Sequence, residues 1–407
     1  MSSFDSFRRL CAIAACVAIA ACATGPKPPP APPLPPEPPP APHQLTTQAP
    51  QFLRLSNIAP AIVPVRVGVI LPFSNATANV RSLAASLMQA AEMALYDSGN
   101  KNIILMTEED TGSATDSAAA AQKLLDEGAE VIVGPLFSAS VASVAPLARD
   151  RGVPVLAFST DRSVAGSGVY LLSFQPQSEV RRIVAYAVSQ GRTKIGAMIP
   201  QTPYGAVVEE AFRAAVTENK ATLCDVEHFN PSAGALTDPS AAIAKADCDA
   251  ILVPQGGSLL RGVVQTFNYS QIDTTKVKLL GTGLWNEPST QKEELLAGAW
   301  FPAPQPSTDD AFIAKYKQTF GSDPPQLASL AYDAVSLVAL LANGTPYHRF
   351  TFRALTDPNG FSGVNGIFRF HPDGSIERGL AVLSVDPNGF QVASPAPETF
   401  QVAQAHS

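Results

Sequence analysis

From about residue 62 onward, short aliphatic runs alternate with longer segments whose apolar positions recur at helical spacing. Val65–Leu71 reads as the first strand. Val80–Ser98 reads as a helix with Leu83, Leu87, Ala91 and Leu95 along one face. Ile103–Met106 is a second strand, Ala118–Glu127 a helix stopped by Gly128, and Val131–Val133 a third strand. Ser140–Asp150 is again helical, and Val153–Phe158 is again a strand. These strands are continuous apolar runs, as expected when helices cover both faces of a parallel sheet.

The alternation then restarts. Ser178 reads as the N-cap of a helix from Glu179 to Ser189, followed by the strand Lys194–Ile199 and the helix Gly205–Glu218. Leu223–Phe229, Ala250–Val253 and Val277–Leu280 are strands; Thr237–Ala246 and Leu259–Phe267 are helices. Asp310–Phe320 and Leu327–Ala342 follow as helices. Gly366–Phe370 and Gly379–Val385 read as a hairpin joined through His371-Pro372-Asp373-Gly374. The fold class is therefore α/β, with two lobes, each a doubly wound and mostly parallel sheet, plus a C-terminal β-hairpin. Lobe one takes residues 62–175 and part of 320–360. Lobe two takes residues 178–300 and the hairpin. Ligands of such sheets sit beyond the carboxyl ends of the strands, so function is expected in the loops facing the cleft between lobes.

The segment before residue 62 follows other rules. Arg8 and Arg9 precede an apolar run, Leu10–Ala21, that is too short to span a bilayer but fits a signal-peptide core. Ile19-Ala20-Ala21-Cys22 resembles the bacterial lipobox, with Cys22 the lipidated residue. Ala23 stands where Asp would signal inner-membrane retention, which points to the outer membrane. From Pro26 to Pro42, 12 of 17 residues are proline, a semi-rigid polyproline spacer of roughly 50 Å. The division is residues 1–21 signal peptide, 22–61 lipidated cysteine and linker, and 62–400 body.

Composition narrows the chemistry. A net charge of −7 argues against nucleic-acid binding through a basic surface. The histidines at 43, 228, 348, 371 and 406 lack metal-ligand spacing with one another or with cysteine. There is no phosphate-binding glycine loop and no nucleophile elbow, so the chain reads as a non-enzyme without cofactor.

Particular stretches carry a family resemblance over about residues 64–395. Val67–Ser74 looks like an opening strand with its cleft loop. Val131–Ser138 ends in Gly-Pro-Leu-Phe-Ser, and Gly152–Ser159 forms the next strand and loop. Tyr204-Gly205, Tyr332-Asp333-Ala334, and Gly366 with Phe370, Gly374 and Arg378 recur in order. Together they resemble the leucine/isoleucine/valine-binding group of type I periplasmic binding proteins. The resemblance implies a ligand carboxylate held in lobe one by Ser74, Ser138 and the loop Ser159-Thr160-Asp161. Helix N-termini there favour an anion. From lobe two it implies Tyr204, Gln255 and Gly256. The bland alternatives are a helix-capping role for Ser138 and Ser140 and a packing role for Tyr204. Amino-acid binders of the group carry an acid where this chain has Gly283. Without one, a bound ammonium lacks a partner, and no response to free amino acids is expected.

The lipobox, the cleft Gly-Pro-Leu and Thr282-Gly283-Leu284-Trp285-Asn286 also resemble the penicillin-binding-protein activator lipoproteins of the outer membrane. The leading expectation is therefore a lipid-anchored, periplasm-facing partner of a peptidoglycan synthase. The alternative is the substrate receptor of an ABC transporter for amino-acid-like or other small anionic solutes. Cys224 and Cys248 lie near the starts of lobe-two strands, and the usual strand order puts Lys194–Ile199 between them. That spacing of about 9–10 Å favours two buried thiols over a disulfide.

Overall fold

The computed structural model describes residues 52–54, 63–232, 235–306 and 308–401. Cys22, the signal segment and the proline-rich spacer lie outside the described residues. The first sheet contains β1 (Phe52–Arg54), β2 (Val65–Leu71), β3 (Ile103–Glu109), β4 (Val131–Val133), β5 (Val155–Ala157) and β6 (Val169–Leu171). Its order is β1-β3-β2-β4-β5-β6, parallel except where β1 pairs antiparallel with β3. The second sheet begins with β7 (Lys194–Pro200), β8 (Thr222–Phe229), β9 (Ala250–Leu252), β10 (Lys278–Leu280) and β11 (Trp300–Ala303). A small antiparallel sheet of β12 (Phe361–Gly363), β13 (Gly366–Phe370) and β14 (Ile376–Arg378) intervenes, before β15 (Ala381–Asp386) and β16 (Gly389–Ser394) complete the second sheet. Its order is β16-β15-β11-β10-β9-β7-β8.

Helices cover both faces of each large sheet. In lobe one, α1 (Ala78–Ser98) packs on one face while α2 (Ala114–Asp126) and α3 (Ser138–Asp150) pack on the other. Strand periodicity sorts the residues: Val65, Val67, Val69 and Leu71 enter the first core, and Ile70 enters the opposite one. In lobe two, α4 (Pro176–Ser189) and α5 (Pro203–Glu218) cover one face; α6 (Thr237–Ile243) and α7 (Gly257–Tyr269) cover the other. Each fully buried Val, Leu or Phe contributes roughly 1.5–3 kcal/mol, and the buried runs behind the α/β pattern supply most of the folding energy. The short α8 (Pro288–Gln291) follows, and then α9 (Asp310–Phe320), α10 (Ala328–Leu341) and the short α11 (Phe352–Leu355). Residues of α9, α10 and α11 enter the lobe-one core, so the chain passes between lobes three times.

Three departures from the sequence expectation bear on how the chain enters and crosses the lobes. The predicted hairpin divides: β13 pairs with β14 and buries Phe368, Phe370 and Ile376 in the lobe-one core. The strand after Leu380 pairs instead with β11 in lobe two. The buried Arg378, 3.4 Å from the buried Asp333, holds the chain at this crossing. The stretch read as linker contains β1, an edge strand on lobe one. Helix α4 starts at Pro176, so Ser178 lies inside its first turn and donates to the Ile376 carbonyl at 3.3 Å.

The cysteines also depart from expectation. Cys224 and Cys248 form a disulfide, with Cα atoms 5.7 Å apart. Strand β7 does run between β8 and β9, but the residue beneath the bridge is Gly196. A Cβ there would lie 2.8 Å and 3.0 Å from the two sulfurs. The ladder shifts register at the same place: Ile195 pairs with Leu223 and Ala197 with Val226, so both Cys224 and Asp225 fall against Gly196. The absent side chain and the bulge let the flanking segments lean together over β7.

Candidate functional site

In lobe one, α3 opens directly after β4, and Phe137 rather than a serine is its N-cap. Ser138 begins the helix with its side chain beside Asp161, and Ser140 turns inward. The Ser140 hydroxyl meets that of Ser117 at 2.7 Å, and Ser117 donates to Asp110 at 2.8 Å. Neither serine caps the helix; one faces the cleft loop and the other belongs to a buried polar chain. After β5, the buried Ser159 accepts the Asp161 N–H at 3.1 Å. The Asp161 carboxylate accepts the amide of Ser163 at 2.9 Å and its hydroxyl at 2.7 Å. Ser163, and to a smaller extent Ser138, hold the Asp161 carboxyl below the ordinary aspartate range. The loop is thus closed on itself, with Thr160 exposed beside it.

In lobe two the relevant groups lie at the carboxyl ends of β7, β9 and β10. Thr202 caps α5, placing Tyr204 in its first turn. The Tyr204 hydroxyl lies 2.9 Å from that of Thr282, which is fully buried. The Gln255 carbonyl accepts the indole N–H of Trp285 at 2.9 Å, and Gly256 is the N-cap of α7. Beside them, Glu179 of α4 accepts the Gly283 N–H at 2.9 Å. A Cβ on Gly283 would lie 2.6 Å from Glu179 Oε1, so the carboxylate fills the space a side chain at 283 would take. Burial pushes the Glu179 carboxyl up to about 7, against the opposing pull of the Gly283 amide. Burial first, and the Glu179 charge second, push the Tyr204 phenol above its ordinary range.

A cavity of about 760 Å³ joins the lobes, lined by Thr160, Asp161 and Arg162 on one side and Pro176, Arg181 and Tyr204 on the other. Ser138 and Ser159 reach this group through their contacts with Asp161. Ser74 does not line it. Ser74 hydrogen-bonds Glu109 and borders a separate cavity of about 400 Å³ with Glu108, Asp110 and Asp116. Gln255 and Gly256 border neither cavity and instead support the loop that carries Thr282 and Gly283. Sequence reasoning missed Glu179 and Thr282. The only available signal was an acid in the first turn of the helix that follows the crossover into lobe two.

The periplasmic binding protein family model matches residues 64–390. The chain is similar in structure to a putative branched-chain amino acid ABC transporter protein of Rhodospirillum rubrum, with a TM-score of 0.72 and 17% identity over 81% of this chain and 99% of that one. It is similar also to LivJ, the branched-chain amino acid transporter substrate-binding protein of Streptococcus pneumoniae solved with isoleucine. The TM-score there is 0.57, with 19% identity over 82% of this chain and 100% of that one. A solute-binding protein of Rhodopseudomonas palustris solved with p-hydroxybenzoic acid gives a TM-score of 0.61 and 18% identity, over 83% of this chain and 98% of that one. No curated relative matches the sequence.

Proposed function

The chain belongs to the periplasmic binding protein family, of the leucine/isoleucine/valine-binding kind, and from that premise we propose that it is the solute receptor of an ABC transporter. The observation that carries this reading is the cavity of about 760 Å³ shared by the loop after β5 in lobe one and helices α4 and α5 of lobe two, along α5 as far as Glu218. The expected solute is small, with an anionic group toward α3 and the loop after β5. The structural relatives named above are transport proteins, which favours this reading over activation of a peptidoglycan synthase, placed first by the sequence. Anchoring through a lipidated Cys22 to the outer membrane remains part of the proposal. Cys22→Ala is expected to move the protein into the soluble periplasmic fraction, and retention on washed membranes would refute the anchor.

The test is a thermal-shift panel of amino acids and small aromatic carboxylates on the purified body. A ligand at 100 times its dissociation constant stabilises the fold by about 2.7 kcal/mol, a readily measured rise in melting temperature. Tyr204→Ala is expected to remove that rise. If no panel member shifts the melting temperature while the protein retains a peptidoglycan synthase from envelope extract, the activator reading replaces the receptor.

A further inference from the structure

After β16 the chain turns back from lobe two toward lobe one, and Pro395–Gln401 lies in no strand or helix. Its near end is fixed on lobe two. Arg182 of α4 donates to the Ser394 hydroxyl at 2.8 Å and to the Pro395 carbonyl at 3.3 Å, and Ala396 packs against the lobe-two core. Its middle lies over the crossings between lobes. The Ala396 N–H donates to the Gln305 side chain at 3.1 Å, and a Cβ on Gly379 would lie 3.1 Å from Pro397. Its far end sits on the small sheet whose Phe361, Phe368 and Phe370 enter the lobe-one core. There the Arg369 guanidinium stands over the Phe400 ring, 4.5 Å from its centroid, and Gln401 donates to Asn359 at 2.8 Å. The socket for Phe400 is rigid. Arg369 is held by Glu377 at 2.7 Å and donates to the Pro358 carbonyl at 3.0 Å. Gly360, at φ +74°, leaves room for the ring, since a Cβ there would lie 2.9 Å from it.

We propose that Pro395–Gln401 is a detachable latch across the hinge, docked on lobe one through Phe400 and limiting how far the lobes swing relative to one another. The three crossings of the chain are continuous backbone, with regular elements of the two lobes on either side, so they bend but cannot let go. The latch differs at its far end. Phe400 and Gln401 hold lobe one by a ring contact and a side-chain hydrogen bond, and Pro397, Glu398 and Thr399 before them are exposed. A partly exposed ring beneath a guanidinium shifts a two-state equilibrium by about two- to fivefold. That is enough to bias the lobes and too little to lock them. The latch stands apart from the receptor reading, because it acts on any swing of the lobes and needs no ligand.

Pulsed electron-spin resonance on the full chain reads the swing as a distance distribution. The spin labels replace Tyr96 and Tyr269, both exposed, at the ends of α1 and α7 far from the cleft. Each is exchanged for p-acetylphenylalanine, so that no cysteine is labelled. Phe400→Ala removes the ring contact, and Phe400→Tyr keeps it. The fraction of molecules outside the main wild-type distance is expected to rise about two- to fivefold in Phe400→Ala and to stay at the wild-type level in Phe400→Tyr. The melting temperature is recorded for each variant, since a merely structural contact lowers it without moving the lobes. An unchanged distance distribution in Phe400→Ala overturns the latch, whatever the melting temperature does. So does an equal rise in Phe400→Tyr, which places the effect outside the ring contact.

Discussion

Each lobe places a carboxylate near the cleft, Asp161 in the cavity lining and Glu179 behind it against Gly283, and the two are wired oppositely. Asp161 on lobe one is exposed; its Oδ1 accepts both the amide and the hydroxyl of Ser163, and the Ser138 side chain lies beside the carboxylate. Glu179 on lobe two is partly buried and holds a single backbone amide. The first is a loop-forming residue that carries charge incidentally. The second is a carboxyl short of partners, which burial pushes toward its protonated form. Residue type alone would rank them equally; the count of hydrogen bonds already closed tells them apart. The lobes differ in reinforcement as well, since lobe two has a disulfide across its sheet and lobe one shows none among the described residues.

The largest expected effect tests that reinforcement. Replacing Cys224 and Cys248 together by alanine should destabilise the body by about 2–4 kcal/mol. Amide-exchange protection should fall in β7, β8 and β9 and stay high in β2 and β4. An equal fall in both lobes would show that they unfold as one unit and would break the contrast.

A smaller effect tests the wiring. The folded-state value of Glu179 is about 7, above the ordinary value of 4.5, so the folded protein holds that proton more tightly than the unfolded chain. The stabilisation is complete below about pH 4.5 and is lost as pH rises through about 7. Discounted for partial exposure, it amounts to about 2 kcal/mol. Glu179→Gln should flatten this part of the stability profile measured by denaturant titration between pH 4 and 8. A wild-type profile identical to the variant's over that window would place Glu179 among ordinary solvated acids. Asp161→Asn should leave the same window unchanged.

Most of the architecture was legible because it depends on local pattern. Runs such as Val131–Val133 and Val65–Leu71 are buried on both faces and almost wholly aliphatic, with Arg66 the one charged residue, as parallel sheets require of their strands. What escaped depends on contacts between distant segments. Nothing local distinguishes Arg378, which closes the small sheet, from Ala381, which joins the sheet of the other lobe. The three residues of β1 sit in polar surroundings and become a strand only because β3 offers an edge. The disulfide was hidden because strand spacing was reckoned without the missing side chain of Gly196. In the site, Tyr204 and Asp161 were readable from their loops, and both line the joint cavity. Glu179 was not, because its meaning comes from Gly283, 104 positions away along the chain.

The edge strand β1 has a mechanical consequence. It zips the chain, on its way into the body, onto β3 in register, Phe52 opposite Met106 and Arg54 opposite Ile104. Any pull or restraint acting from the N-terminal side is therefore delivered to lobe one as shear along a sheet edge. Lobe one is the fixed base of the molecule as felt from that end, and lobe two is the free jaw. Any hinge motion then swings Tyr204 and Glu179 while Ser138 and Asp161 stay with the base.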